Sequence, residues 1–153
     1  MAVDAHSPEP QIRVAEAGDC DGLLTLWASS GAEAGVTDSV AALHRLLGTT
    51  EAALFVAEVD GKLVGSVIAG WDGWRGHLYR LVIHVDRRRR GVATHLVAAA
   101  EQHLRERGAV RIDAIVDHDD AVASSFWMAA GFQPHRRRSR FVRDLLGPIS
   151  ASG

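Results

Sequence analysis

The sequence Ile-His-Val-Asp-Arg-Arg-Arg-Arg-Gly-Val-Ala, residues 83–93, joins an apolar strand pattern through four arginines to the first turn of an amphipathic helix. The first backbone N–H groups of a helix have no carbonyl partner within it, and with the helix dipole they attract an anion. Gly91 and Ala93 carry little or no side chain, so phosphate oxygens can approach this backbone closely. Arginine adds positive charge and forked donors. The stretch therefore predicts a diphosphate site at the beginning of a helix.

A second block follows further along the chain. Residues 120–132 read Asp-Ala-Val-Ala-Ser-Ser-Phe-Trp-Met-Ala-Ala-Gly-Phe, which predicts a helix that an acidic residue caps and that ends at Gly131. Together the two blocks resemble motifs of the GNAT N-acetyltransferase superfamily. The spacing Arg88-x-x-Gly91-x-Ala93 is similar to its coenzyme A signature, and the second block is similar to its Asn-x-x-Ala-x-x-Phe-Tyr-x-x-x-Gly-Phe helix. The resemblance covers about residues 11–145.

Length and composition limit the class of protein. A chain of 153 residues can form one domain but not two ordinary ones. We expect a flexible segment at residues 1–10, one domain over residues 11–145 and a disordered tail at residues 146–153. No stretch approaches the roughly 20 apolar residues of a membrane span, and the polar residues 1–10 do not resemble a signal sequence. We therefore expect a cytoplasmic protein with no membrane partner.

The single cysteine and the charges narrow the chemistry further. Cys20 allows no internal disulfide, and because Asp19 and Asp21 flank it, we expect a buried, unreactive thiol with a raised pKa. The net charge is −2, but the basic residues concentrate in the second half of the chain. The arginine runs at residues 87–90 and 136–140 leave a nucleic-acid surface open as an alternative. The chain has no recognised nucleic-acid motif, so we expect no nucleic-acid partner.

The apolar periodicity predicts an alternation of strands and helices. Asp60-Gly61 is a strong hairpin signal between two β-branched runs. The strands are expected at residues 12–15, 53–59, 62–69, 77–85 and 110–116, with one or two closing strands within residues 132–143. The helices are expected to begin near Asp19 or Asp21, Thr37 or Asp38, Gly91, and Asp119 or Asp120. This order predicts a mixed α/β fold with helices on both faces of the sheet.

The family resemblance makes the fold more specific. It implies a GNAT-like, mostly antiparallel and strongly twisted sheet of six to seven strands. It also implies a V-shaped splay between the strands at residues 77–85 and 110–116, which admits the pantetheine arm of the cofactor.

The resemblance also implies an activity. In this family an amine attacks the thioester of acetyl-CoA directly in a ternary complex, so we expect an N-acetyltransferase acting on a primary amine of a small molecule or peptide. Acetyl-CoA is the expected cosubstrate and no metal is expected. The residues expected to contact the cofactor are Leu81, Val82, Ile83, Arg88, Arg89, Arg90, Gly91, Val92, Ala93, Thr94, Asp120, Phe126 and Trp127.

The proton-transfer groups are less clear from the sequence. The family often places a tyrosine where this chain has Trp127, and an indole N–H cannot act as an acid near neutral pH. Some relatives use a glutamate at the position of Ile115. The remaining candidates are Tyr79, Asp113, Asp117, Ser124 or Ser125, His77, His84 and water. The two missing groups also motivate an alternative, a catalytically degenerate module that binds coenzyme A as a sensor.

Three tryptophans are candidate acceptor-binding residues. Trp71 and Trp74 bracket a loop beside the expected acceptor cleft, where they can form an aromatic wall or anchor the core. Trp27 lies on a helix that covers the acceptor in the family, although its helical spacing also fits a core position. His118 stands among acidic residues that are more typical of a helix N-cap than of a metal site. A homodimer is possible.

Overall fold

The computed structural model describes residues 8–146, which form one sheet with helices on both of its faces. The elements in chain order are β1 (Gln11–Val14), α1 (Cys20–Ser29), α2 (Val40–Leu47), β2 (Ala53–Val59), β3 (Lys62–Trp71), β4 (Gly76–Ile83), α3 (Val92–Glu106), β5 (Ile112–Ala114) and α4 (Ala121–Ala129). The strands lie side by side in sequence order. The first three pairings are antiparallel, and β4 pairs with β5 in parallel. Most of residues 1–10 and 146–153, which we expected to be flexible and disordered, lie outside the described residues.

Each face of the sheet has its own core. On one face α3 buries its apolar stripe against β3 and β4, through contacts that include Leu96, Leu104 and Val67. On the other face α1 and α2 pack Leu23 and Leu43 against β2 and β4. Because both faces are covered, the central strands are apolar along almost their whole length. The mixed α/β architecture predicted from the sequence is confirmed.

The expected number of strands is wrong. The sheet has five strands rather than six to seven, and within residues 8–146 no strand follows α4. Pro134 has no N–H to donate, and the arginines at residues 136–138 interrupt any apolar alternation in this segment. Phe141 is 94% exposed, so the apolar residues near the end of this segment bury almost nothing.

β5 is also shorter than the sequence pattern suggested. It spans three residues instead of 110–116, and it pairs with β4 only from Gly76 to Leu78. The remaining part of β4, from Tyr79 to Ile83, has no β5 partner in the described sheet. One edge of β4 is therefore open over the half of the strand that leads to α3.

The helix caps differ in detail from the sequence-based expectations. Ser39, rather than Thr37 or Asp38, caps α2 by accepting a hydrogen bond from the Ala42 N–H at 3.1 Å. Asp19, the residue before α1, makes no capping hydrogen bond to that helix, and its carboxylate instead pairs with Arg13 of β1. Asp120 caps α4 as expected, accepting from the Ala123 N–H at 2.9 Å.

Candidate active site

The turn that begins α3 has an open backbone. Gly91 has a φ of 81° and Arg89 a φ of 63°, so two residues of this turn are left-handed. No side chain in the described part of the chain caps α3, and a Cβ added at Gly91 would meet no described atom within 4 Å. The first N–H groups of the helix therefore have no side-chain cap, and the backbone at Gly91 is not crowded. This arrangement can bind an anion through main-chain donors and the helix dipole.

The side chains of this turn have different surroundings. Arg88 donates from Nε to the Ile83 carbonyl and from Nη2 to the Ser30 carbonyl, both at 3.3 Å, so it ties the end of β4 to the end of α1. Arg89 and Thr94 are exposed, whereas the side chain of Val92 is buried in the core and Ala93 is half-buried. At Val92 only the backbone can contact a ligand.

The part of β4 that lacks a β5 partner contains a β-bulge in its pairing with β3. Ser66 pairs with Val82 and Ile68 pairs with Tyr79, so β4 has one more residue than β3 over this interval. Arg80 lies in the bulge with a φ of 50°, which is uncommon for a residue other than glycine. Val82 packs toward α1 and α2, while Leu81 and Ile83 pack toward α3. Residues 81–83 belong to the part of β4 that has no strand paired on the β5 side.

A histidine between two carboxylates lies near the start of β4. His77 Nε2 is 3.0 Å from Asp72 Oδ2, and His77 Nδ1 is 3.0 Å from Asp113 Oδ1. Burial lowers the pKa of His77, but the hydrogen bonds to the two carboxylates outweigh it, so that the pKa is raised. Backbone N–H donors of Arg75 and Trp74, together with His77, lower the pKa of Asp72 to about 2.

Tyr79 stands on the same side of the sheet as His77, with the two ring centroids 6.0 Å apart. Burial and then the charge of Asp113 raise the pKa of this tyrosine. The structure thus brings together Tyr79, Asp113 and His77, three of the residues named from the sequence. Asp117 does not join them by strand alternation, because β5 ends at Ala114.

Asp72 belongs to this cluster although it was not predicted from the sequence. This residue stands in the turn between β3 and β4, where its Oδ1 accepts from the N–H groups of Trp74 and Arg75 at 2.8 and 2.7 Å. The signal that could have found it is the Asp-Gly pair of this turn, which commonly places an aspartate carboxylate on the backbone that follows.

The three tryptophans occupy different environments. Trp27 is 3% exposed and donates its indole N–H to Ser66 Oγ at 2.8 Å, so it belongs to the core and does not face an acceptor. Trp71 packs against the core on the α3 face, the opposite side of the sheet from His77. Trp74 is 70% exposed, and the Arg75 guanidinium lies 4.1 Å from the centroid of its ring.

α4 contributes an aromatic cluster. Trp127 is buried and makes edge-to-face contacts with Phe126 and Phe132, at centroid distances of 5.3 and 4.8 Å. Ser124 is half-buried one turn earlier, and Ile115 is exposed just beyond β5. The side chains of Trp127 and Ile115 therefore offer neither an acid nor a base.

A groove of about 960 Å³ lies between α4, β5, the second half of α3 and residues 130–136. It reaches Ser124 and Trp127, but it lies at the opposite end of α3 from Gly91. This groove is therefore separate from the turn at Gly91.

Other features of the described residues bear on function. Cys20 is buried, and burial followed by the charges of Asp19 and Asp21 raises its pKa, as expected from the sequence. Between residues 8 and 146 no three His, Cys, Asp or Glu side chains are grouped so that they could hold a metal ion. Within the same residues, no helix combines the length and the apolar character needed to cross a membrane.

Comparisons with known proteins agree with this architecture. An acetyltransferase from Pectobacterium atrosepticum is 36% identical over 117 residues, which cover 76% of this chain and 83% of that protein. An acetyltransferase from Sodalis glossinidius is 37% identical over 117 residues, with 76% of this chain and 82% of that protein covered.

Solved structures show the same fold at lower identity. The aminoglycoside N-acetyltransferase AAC(6')-Iy in complex with CoA superposes with a TM-score of 0.77 at 20% identity, covering 95% of this chain and all of that one. The same enzyme in complex with a bisubstrate analogue, CoA-S-monomethyl-acetylneamine, gives a TM-score of 0.76 at 20% identity over 90% of this chain and 99% of that one. A putative acetyltransferase from Agrobacterium tumefaciens strain C58 gives 0.72 at 21% identity, with 88% of this chain and 99% of that one covered.

The sequence model of the acetyltransferase (GNAT) family matches residues 21–132, from the second residue of α1 to the turn after α4. This range includes the open turn at Gly91, the bulged edge of β4 and the aromatic cluster of α4. Together with relatives that are more than one-third identical over three-quarters of the chain, the match shows that this protein belongs to the GNAT acetyltransferase family.

Proposed function

We propose that this protein is an N-acetyltransferase that moves the acetyl group of acetyl-CoA to a primary amine of a small molecule or peptide by direct attack. The observation that carries the proposal is the uncapped start of α3 beside the unpaired edge of β4. One feature can hold a diphosphate and the other can hold the amide-bearing arm of the same molecule. The complexes of AAC(6')-Iy with CoA and with a CoA-based bisubstrate analogue support a small amine as acceptor.

The cofactor residues act mainly through their backbones. The N–H groups of residues 88–94 would hold the diphosphate, with charge from Arg89 and Arg90. The edge of β4 at Leu81, Val82 and Ile83 would pair with the pantetheine amides as an added strand. The N–H groups there can also polarise the thioester carbonyl. Phe126 and Trp127 would provide an apolar wall, and Asp120 supports that wall by capping α4.

The acceptor amine would approach the Asp72–His77–Asp113 cluster. With both ring nitrogens facing carboxylates, the charged imidazolium form of His77 is favoured, and an imidazolium cannot accept a proton. Two carboxylates and one imidazolium leave a net negative charge that attracts an ammonium group. We assign proton removal to Asp113 acting through water. Tyr79 keeps its proton at neutral pH and donates a hydrogen bond, and the exposed Trp74 can border the acceptor.

The reaction then needs few further groups. The neutral amine nitrogen forms a bond to the acetyl carbon, and the carbon–sulfur bond breaks. The nitrogen loses a proton as the amide forms, and the sulfur leaves as a thiolate that takes a proton from water. Holding both substrates in place removes much of the barrier, on the order of 7 to 11 kcal/mol for well-oriented groups. An acid at Trp127 is therefore unnecessary, since a thiol, with a pKa of about 8.5, is a strong enough acid for its thiolate to leave into water.

Calorimetry with CoA and a thiol-release assay over a panel of amines test the proposal together. We expect binding of CoA and amine-dependent thiol release, with release falling about tenfold or more in Asp113→Asn because its proton acceptor is lost. Binding without release on any amine would favour the sensor alternative. Absence of binding would refute both.

A further inference from the structure

A buried chain of hydrogen bonds runs from α1 to the bulge of β4. The Trp27 indole N–H donates to Ser66 Oγ at 2.8 Å, and the Ser66 hydroxyl donates to the Arg80 carbonyl at 2.9 Å. Ser66 is 0% exposed and is the one buried polar residue in the described part of the chain. A hydroxyl placed so deeply needs both partners, because an unpaired polar group is costly to bury.

Arg80, whose carbonyl accepts the last hydrogen bond of this series, has a strained backbone. Arg80 is one of three non-glycine residues with positive φ within residues 8–146, and its φ is 50°. A bulge leaves its extra residue outside the regular hydrogen-bond ladder, so Arg80 and Leu81 need other contacts to fix their orientation. The Ser66 hydroxyl supplies such a contact to the backbone itself.

The side chain of Arg80 is fixed as well. Its Nη2 lies 2.6 Å from Asp38 Oδ2, and its guanidinium carbon lies 5.3 Å from the centroid of the Trp27 ring. Asp38 also accepts from the Gly35 N–H at 3.1 Å. The segment between α1 and α2 is thus tied to the same bulge, and Trp27 contacts both the side chain of Arg80 and, through Ser66, its carbonyl.

We propose that Ser66 and Trp27 are positioning residues that hold the Arg80 bulge, so that the adjoining Leu81 amide stays aimed at the thioester carbonyl. The inference rests on the proposed function. The ion pair of Arg80 with Asp38 joins the segment between α1 and α2 to the same bulge. Neither Ser66 nor Trp27 contacts a substrate, and both act through the β4 backbone.

Ser66→Ala provides the main test, with Ser29→Ala as the matched control. Ser29 Oγ donates only to the Leu26 carbonyl within α1. We expect Ser66→Ala to lower kcat by about tenfold or more, since a misaligned donor stabilises the reacting carbonyl less. Affinity for CoA, which lacks the acetyl group, should change by less than about threefold because the turn at Gly91 is untouched. Ser29→Ala should match the wild type in both.

Two further variants separate positioning from simple loss of packing. Trp27→Phe keeps an aromatic ring but removes the indole donor, so it should lower kcat less than Ser66→Ala does. Arg80→Gly removes the strain, because glycine adopts positive φ freely. The fold-loss caused by Ser66→Ala should therefore be smaller in the Arg80→Gly background, a coupling that a double-mutant cycle measures. Equal losses in both backgrounds, or an unchanged kcat in Ser66→Ala, would overturn the proposal.

Cofactor binding, measured in the absence of an acceptor amine, tests the positioning role independently of the proposed function. Wild-type protein should prefer acetyl-CoA to CoA in calorimetry, and Ser66→Ala should lose that preference. If no amine supports thiol release by the wild type, the proposed function fails, while this ratio of affinities still decides whether Ser66 positions the bulge. An unchanged ratio in Ser66→Ala refutes the positioning role.

Discussion

Single residues with left-handed backbones mark the two ends of α3. Gly91 precedes the helix with a φ of 81°, and Gly108 follows it with a φ of 95°. A Cβ at either position would meet no described atom within 4 Å, so a substitution strains the backbone at both but clashes at neither. The proposed diphosphate site lies at only one of these ends. The pair therefore separates the effect of strain from the effect on binding.

Replacing Gly91 by leucine should abolish most of the affinity for CoA, while Gly108→Leu should leave it unchanged. Each substitution should lower the free energy of unfolding by about 1 kcal/mol through left-handed strain alone. At Gly91 the leucine side chain also keeps phosphate oxygens away from the amides, so we expect the Kd for CoA to rise about tenfold or more. Calorimetry and urea unfolding measure the two quantities. Equal affinities in the two variants would contradict the diphosphate site.

His77 should make stability depend on pH. Its raised folded pKa means that its contribution is fully present below the unfolded value of about 6.5 and disappears as the pH rises through the folded value. The Asp72 contribution is present above about pH 4 and is lost as the pH falls toward about 2. His77→Gln should therefore destabilise the protein more at pH 5 than at pH 8.5.

The destabilisation by His77→Gln should differ only modestly between pH 5 and pH 8.5, because Asp72 and Asp113 are about half exposed. Pairs of this kind are screened by solvent and contribute little to stability. Thermal unfolding at the two pH values measures it, with His95→Gln as a control on the exposed side of α3. A larger gap between His77→Gln and the wild type at pH 8.5 than at pH 5 would show that the imidazolium does not stabilise the cluster.

Residues whose role depends on the local backbone were easier to predict from the sequence than residues whose role depends on distant side chains. The turn at Gly91 could be predicted because small residues and a helix start are readable locally. The Asp72–His77–Asp113 cluster could not, since it joins a turn to two strands through side chains 36 residues apart. Trp27 was ambiguous because helical spacing shows that a residue faces the core but not which hydroxyl it meets there.

At the scale of elements, the first turn of α4 is stabilised by the side-chain cap at Asp120. Asp120 Oδ1 accepts from the Ala123 N–H, and the helix behind it holds Phe126 and Trp127 against the core. Asp120→Ala should lower the free energy of unfolding by about 1 kcal/mol, whereas Asp120→Asn keeps an oxygen acceptor and should change it little. Urea unfolding compares the two. An Asp120→Ala variant as stable as the wild type would show that the cap is dispensable.

At the same scale, local turns can be predicted from the sequence, whereas strand pairing cannot. The Asp60-Gly61 hairpin was predicted correctly because its turn chemistry is local. The bulge at Arg80 was not, because an extra residue in one strand becomes visible only when its partner strand is known. β5 was expected to be longer because residues 110–116 form an alternating apolar run that suits a strand. Such a run does not show over how many residues the neighbouring strand pairs with it.

At the scale of the molecule, two cores on opposite faces of the sheet carry the stability. Leu54 belongs to the core on the α1 and α2 side, and Leu96 belongs to the core on the α3 side. Both side chains are almost completely buried. Residues 133–146, beyond Phe132, contribute to neither core, since all of them are exposed and no strand forms there within the described residues. Stability should therefore respond very differently to substitutions in these two parts of the chain.

Leu54→Ala and Leu96→Ala should each lower the free energy of unfolding by about 2 to 5 kcal/mol, the usual loss for a buried leucine. Phe141→Ser and Leu145→Ser should change it by less than about 0.5 kcal/mol, because exposed side chains lose little on truncation. Urea unfolding of the four variants measures the contrast. A loss above about 1 kcal/mol in Phe141→Ser exceeds the surface range. It would mean that Phe141 packs against other parts of the protein.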